Sequence, residues 1–315
     1  MLGFPLVPEQ ASTMAVRLDT LLYFLLAVAG FFATLICVLI VAFVIKYRRR
    51  SEDERPQPIL GDLRLEIFWT VVPLGLTMIM FVWGARLFYI TYHPPRNSLE
   101  INVVAKQWMW KVQHPEGRSE IDELHIPMSR PIKLILTSQD VIHDFFVPAF
   151  RVKMDVLPGR YTTLWFEATK PGEYHLFCAQ YCGTQHSGMV GRIVVMEPAR
   201  YQTWLSGETA VISMASAGEK LFQRLACNTC HLESGTGRGP SLVGLFGKKV
   251  QLQRGQTITA DENYIRESIL EPQAKIVAGY SPIMPTFKGL VSEDGIMQIV
   301  AYIKSLTHEG TQAKK

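Results

Sequence analysis

The chain has 315 residues, 48% of them hydrophobic and only 19% charged, where soluble globular domains carry about 25% charged residues. That balance excludes a disordered protein and argues for a chain partly dissolved in lipid. Lys and Arg exceed Asp and Glu by 32 to 28, a net charge of +4, too mild for a nucleic-acid binder; five cysteines, four of them in two close pairs, are too few and too patterned for a disulfide scaffold.

Residues 21–45 form a 25-residue run without a charge, longer than the ~20 residues that cross a bilayer as a helix. A second uncharged run, 67–85, continues through Arg86 toward Tyr92, where snorkelling and interfacial aromatics belong at a membrane boundary. Pro73 can kink this span without forbidding it, and Cys37 in the first span reads as a small apolar residue. The loop between them carries Lys46, Arg48, Arg49, Arg50, Arg55 and Arg64, against Arg17 alone in the first twenty residues. Positive charge stays in the cytosol, so both termini are expected outside, with the first span retained rather than cleaved.

The expected division is an external segment 1–20, a transmembrane hairpin 21–92 with a cytosolic loop 46–66, a β domain 93–197, a linker 198–215 and an α domain 216–315. The β domain follows from short apolar runs (EINVVA, PIKLILTS, YTTLWFEA, GEYHLFC, GRIVVM) broken by HPEG, LPGR and KPGE, spacing that predicts an antiparallel sandwich or barrel. Trp204 in the linker reads as a packing residue. From Ser216 the pattern turns helical: Ser216 and Glu219 make an S-x-x-E capping box, and Ile296, Ile299, Val300 and Ile303 share one helical face.

Cys178, Cys182, His186 and Met189 place two thiols, an imidazole and a thioether within twelve residues, a soft donor set that favours copper. A disulfide between the two cysteines and a zinc site are the alternatives; the first leaves His186 and Met189 without a purpose, and methionine is a poor zinc ligand. With the upstream D-V-x-H-x-F-x-V-P at 140–148, C-x-x-x-C-x-x-x-H-x-x-M resembles the dinuclear CuA motif of cytochrome c oxidase subunit II. That resemblance, over about residues 20–197, implies a cupredoxin-like Greek-key barrel in which Cys178 and Cys182 bridge two coppers. His143, His186, Met189 and the backbone carbonyl of Gln180 complete the shell. It further implies electron entry at Trp108, in K-Q-W-M-W, although the KVQHPEG that follows departs from the family's tyrosine-rich run. Glu66 matches a glutamate at the mouth of a proton channel, and reads equally as a solvated residue at a helix start. Gln180 stands where many members carry a glutamate that reaches magnesium.

Cys227-Asn-Thr-Cys230-His231 has the spacing for thioether attachment of haem c with an adjacent axial histidine. In an exported helical domain of this size the motif resembles a small class I cytochrome c. Met284, in a loop, is the expected distal ligand and Met297, inside a predicted helix, the weaker candidate; methionine ligation raises the haem potential. Together the three parts resemble subunit II of a caa-type haem–copper oxidase in a bacterial inner membrane. The resemblance implies partners: a catalytic subunit I with haems and a further copper, a subunit III, membrane lipid and a periplasmic or membrane-bound electron donor. The equivalent subunit of a CuA-containing nitric-oxide reductase and a membrane-anchored copper-delivery protein remain open as alternatives.

Overall fold

A computed structural model describes residues 7–52, 54, 61–207 and 213–306. Arg55 of the basic loop, part of the linker and the last nine residues lie outside them. The chain divides into two compact units, Thr13–His93, and Met1–Ser12 with Pro94–Lys315.

The first unit is two helices, α1 (Thr13–Lys46) and α2 (Leu63–Tyr92), both long and apolar enough to cross a bilayer. Their apolar side chains are exposed along most of the length, as lipid-facing positions must be. They meet through Phe24 and Trp83, ring centroids 5.4 Å apart. Asp62 caps α2 by accepting from the backbone N–H of Arg64 at 2.9 Å, which places Glu66 in the first turn, where the helix dipole favours a carboxylate.

In the second unit two five-stranded sheets face each other. Strands β1 (Leu99–Lys106), β2 (Met109–Gln113), β3 (Ser119–Ile121), β5 (Pro131–Ser138) and β8 (Thr162–Glu167) make one, in the order β3-β2-β1-β5-β8. The other, β4-β10-β9-β6-β7, is built from β4 (Glu123–Pro127), β6 (His143–Val147), β7 (Val152–Val156), β9 (Gly172–Cys178) and β10 (Val190–Met196). The pairing is mixed: β1 with β5 and β4 with β10 run parallel, which hairpins alone cannot produce and a Greek-key crossover can. Alternate residues fill the space between the sheets, Ile101, Val103, Leu134, Leu136 and Phe166 against Leu124, Phe145, Leu176 and Ile193, with Trp110 buried at the centre. The turn glycines Gly117, Gly159 and Gly172 have positive φ, backbone that only glycine adopts without strain. Ala11, from the N-terminal segment, joins this core and bonds to the backbone of Ala149 and Thr169. Residues 7–12 therefore lie on the barrel.

The expected linker begins as structure. Helix α3 (Pro198–Leu205) sinks Tyr201 into the barrel core, and Trp204 stacks on His125 with Arg118 over its ring; that apolar seat moves the domain boundary past residue 205. The predicted cap also moves. Helix α4 (Met214–Arg224) is capped by Ser213, whose Oγ accepts from Ser216 N at 3.2 Å, because Met214 gains a buried seat that extends the helix by a turn. Helix α5 (Glu262–Leu270) and helix α6 (Glu293–Ser305) complete the frame, with a small antiparallel pair, β11 (Lys249–Gln251) and β12 (Thr257–Thr259), in an otherwise helical domain. Ile296, Ile299, Val300 and Ile303 pack inward as their periodicity predicts.

The helical domain sits on the outer face of β1 and β5. Val104, Ile135 and Tyr161 pack against Met214 and Met297, and Lys304 bridges Glu100 at 2.6 Å and Glu262 at 2.7 Å. Asn263 Oδ1 accepts from Tyr161 N at 2.7 Å, and Arg266 donates to Gly159 O at 2.6 Å.

Candidate functional site

At one end of the barrel the start of β6, the end of β9 and the loop before β10 converge. Cys178 Sγ lies 3.8 Å from Cys182 Sγ and 3.8 Å from His143 Nδ1. Cys182 Sγ lies 3.4 Å from His186 Nδ1 and 3.8 Å from Met189 Sδ, and the Gln180 carbonyl oxygen is 3.2 Å from Cys178 Sγ. All six expected donors thus meet in one cluster, with His143, Cys178, Cys182 and Met189 buried. The thiols are unbonded. Their separation far exceeds the ~2.05 Å of a disulfide and equals the edge, about 3.8 Å, of a tetrahedron with metal–sulfur contacts of about 2.3 Å. Soft sulfur and imidazole donors at that spacing suit copper.

Burial opposes the charged forms of Cys178, Cys182, His143 and Asp140. For Cys178 burial raises the pKa, yet His143 and the backbone groups around it win and bring it below the usual thiol range. Cys182 is pushed up, by burial first and then by the negative charge of Cys178. A metal cation would reverse that second effect and hold both as thiolates. His143 is raised despite its burial, because Cys178 and Asp140 stabilise its charged form, and Asp140 is lowered despite desolvation by donors from Gln107, His143 and Val141.

Two bracing residues carry no signal in composition or periodicity. Asp140 Oδ1 accepts from His143 Nε2 at 2.9 Å, which turns Nδ1 toward the thiols. Gln107 donates its backbone N–H to Asp140 Oδ2 at 2.8 Å and its side-chain amide to Cys182 O at 2.7 Å. The aromatic turn is thereby pinned to both halves of the cluster. Gly183, at φ +120°, makes the close approach possible: a Cβ there would lie 2.9 Å from Gln107 Nε2 and 3.1 Å from Trp108 Cζ2. Trp108 is half-buried and rests on the residue next to Cys182. Glu66 is exposed in the other unit and forms no part of this cluster.

The α domain encloses a cavity of ≈ 600 Å³ lined by Cys227, Cys230, His231 and Met284, with Phe222, Ile299 and Ile303 among its apolar walls. His231 Nδ1 donates to Pro240 O at 2.8 Å, leaving Nε2 as the free ligating nitrogen. The loop that delivers Pro240 packs without clearance: a Cβ on Gly237 would meet Cys230 O at 2.1 Å, and one on Gly239 the His231 ring at 2.8 Å. That G-x-G-P after the cysteine motif was the available sequence signal. Met297 does not line the cavity; it is buried on the other face of α6, against Val104 and Ile135. Met284 is the methionine placed with His231. Two thiols, a pinned imidazole, a thioether and an apolar cavity fit a covalently held haem.

These parts define a membrane-anchored two-span protein that carries an extracytoplasmic cupredoxin-like domain and a cytochrome c domain. Residues 3–87 match the family model of the cytochrome c oxidase subunit II transmembrane domain, residues 118–197 that of its periplasmic domain, and residues 213–303 the model of the cbb3-type cytochrome c oxidase subunit III. The chain is 32% identical over 288 residues to cytochrome c oxidase subunit 2 of Alkalihalophilus pseudofirmus, covering 86% of this chain and 82% of the relative. It is 28% identical to the subunit 2 of Thermostichus vulcanus, over 65% of this chain and 79% of that one. The crystal structure of the periplasmic domain of subunit II from Bradyrhizobium japonicum aligns at 32% identity and a TM-score of 0.35, over 36% of this chain and 94% of that domain. The chain belongs to the cytochrome c oxidase subunit II family, as a member with a C-terminal cytochrome c domain. It is an electron-transfer subunit of an oxidase complex, and its domains are of copper- and haem-binding families.

Proposed function

We propose that this chain is subunit II of a caa-type terminal oxidase in a bacterial inner membrane, passing single electrons from a donor through haem c and then CuA to subunit I. Oxygen is reduced to water and protons are pumped in subunit I, with a subunit III completing the assembly. No general acid, base or nucleophile is required of this chain. The observation that carries the reading is the meeting of all six proposed copper donors at one barrel end, in the same chain as a cavity lined by two cysteines, a methionine and a pinned histidine.

Cys178, Cys182, His143, His186, Met189 and the Gln180 carbonyl would together hold the copper pair. Cys227 and Cys230 would attach the haem, and His231 and Met284 would hold its iron. The two groups supply one-electron redox steps with little rearrangement, since sulfur and imidazole donors satisfy both copper oxidation states. Asp140 fixes the His143 ring, Gln107 ties the aromatic turn to Cys182, and Pro240 orients His231. Trp108 is the electron entry residue, and Glu66 stands at the mouth of the proton channel into subunit I. Gln180 retains its carbonyl role, but a neutral amide is a weak ligand for a hard cation, so magnesium at the boundary with subunit I is weak or missing.

Elemental analysis and haem determination on the purified chain, matured with the haem-attachment machinery, test the reading. Two coppers and one covalent haem are expected. One copper per haem would defeat the dinuclear assignment, and haem extractable by acid acetone would defeat the thioether one.

A further inference from the structure

A second group of metal-ligating side chains lies at the corner where β3 turns into β4, outside both sites described above. Glu123 and His125 stand two positions apart on β4 and so share one face of the strand. Between the strands Asp122 sits at φ 58°, a left-handed conformation rare outside glycine. Trp110 holds it there: its O accepts from Asp122 N and its backbone N–H donates to Asp122 Oδ1, both at 2.8 Å. This turn brings Glu120 of β3 beside the other two, so that a carboxylate oxygen of each glutamate and a ring nitrogen of His125 lie within 4.8 Å of one another. Glu120 accepts from His114 Nε2 at 2.7 Å, from the His125 backbone N–H at 3.1 Å and from His125 Nδ1. Among the described residues no Lys or Arg lies within ion-pair distance of Glu120. Both Arg192 contacts to Glu123 fall on Oε1, which leaves Oε2 for another cation. Trp204 lies flat on the His125 ring, centroids 4.5 Å apart.

We propose that Glu120, Glu123 and His125 form a binding site for one zinc-class divalent cation, with His114 as the residue that orients Glu120. Zinc contacts to oxygen and nitrogen of about 2.0–2.2 Å set tetrahedral donors about 3.4 Å apart. Glu120 and His125 already touch, and Glu123, 34% exposed at its side chain, has the freedom to close the triangle. Two carboxylates balance the charge of the dication. The imidazole selects zinc over magnesium and calcium, which favour shells of oxygen alone. The His125 proton now held against Glu120 passes through water to Nε2 of the same ring, so the neutral imidazole ligates through Nδ1. The cation ties β3 to β4 beneath Trp204 of α3, the helix by which the chain leaves the barrel. It carries no electrons, and the inference is independent of the copper and haem assignments.

The test uses the full chain in detergent, loaded with copper and haem, freed of loosely held metal by a mild chelator and probed with zinc ions alone. Elemental analysis and titration calorimetry are expected to find one zinc per chain beyond the copper complement. Zinc X-ray absorption should show nitrogen and oxygen neighbours at about 2.0 Å and no sulfur at about 2.3 Å. Glu123→Gln, on the exposed side of the corner, weakens binding by more than roughly tenfold, the lower limit for losing even a residue that only orients a ligand. It keeps the metal-free melting temperature, which guards against a variant that fails to fold. His125→Gln loses the same affinity, whereas His175→Gln, at an exposed histidine on β9, leaves it unchanged. Zinc raises the melting temperature of the parent and not that of Glu123→Gln. Absence of bound zinc, unchanged affinity in Glu123→Gln, or an equal loss in His175→Gln would each overturn the site. Displacement by a roughly hundredfold excess of magnesium would overturn its zinc class. Sulfur in the zinc shell would place the ion in the cysteine cluster instead, which also overturns the proposal.

Discussion

Replacing Gly218 by alanine should destabilise the cytochrome domain, although alanine is the better helix former by about 1 kcal/mol. Gly218 lies where α4 crosses α6. A Cβ there would stand 1.9 Å from Gln298 O, 2.5 Å from Gln298 C and 2.9 Å from Tyr302 Cβ. Carbon meets a carbonyl oxygen at about 3.3 Å, so the helices must separate locally by about 1.4 Å. The neighbour is backbone and cannot rotate away. Separation opens the Phe222–Tyr302 contact, now 5.3 Å between centroids, and loosens the layer of Phe222, Ile299 and Ile303 that borders the cysteine-lined cavity. Overpacking of this kind costs 1–3 kcal/mol, roughly, and with a rigid neighbour the upper end applies. Subtracting the propensity gain leaves about 2 kcal/mol of net loss. In a domain of ~100 residues that lowers Tm by about 10 °C. Thermal melting of the full chain, followed at the haem absorbance, measures it. A variant melting at or above the parent would refute the close crossing and the reasoning built on it.

Met284→Ala should keep the haem attached but abolish the absorption band of the methionine-ligated oxidised form and lower the potential, while Met297→Ala should leave the band and loosen the seam with the barrel. The reverse outcome would exchange the two roles. Trp108→Phe should retain copper and melting temperature but slow reduction of the copper centre; unchanged kinetics would leave Trp108 as packing against Gly183. Glu120 is half-buried, which opposes ionisation, yet donors from His114 and His125 hold its pKa at about 2, below its ordinary 4.5. Its stabilising contribution is therefore present above pH 4.5 and lost as pH falls toward 2, so acid-unfolding curves of Glu120→Gln should lack that limb; coincident curves would remove Glu120 from the account.

The spans, the clustered side chains of the proposed copper site and five of the barrel strands were legible because each carries a local signal: a charge-free run, a fixed motif spacing, or an apolar run closed by a turn glycine. Strands β2, β3, β4, β6 and β7 were not, being short and only partly apolar, so that the pairing across sheets defines them rather than their own sequence. Val104 and Ile135 illustrate the ambiguity of an unbroken apolar run. They face away from the barrel core and are apolar because the helical domain covers them, a reason invisible until both domains are placed. The cap at Ser213 was hidden in the same way, since the buried seat of Met214 outweighs the local pattern at Ser216 and Glu219. Metal donors clustered within twelve residues can be read directly, whereas Gln107 reaches Asp140 and Cys182 across 33 and 75 positions, and only tertiary structure brings such groups together.

In the proposed relay, haem c feeds the copper centre within one chain. Its most direct measurement is the anaerobic reduction of the purified full chain by a substoichiometric reduced c-type cytochrome, with the haem band and the copper near-infrared band followed together. The account predicts that the haem reduces first and the copper follows at a rate independent of donor concentration, and that Cys227→Ser with Cys230→Ser removes the fast copper phase while leaving the copper bound. Copper reduction at an undiminished rate in the variant without haem would contradict it.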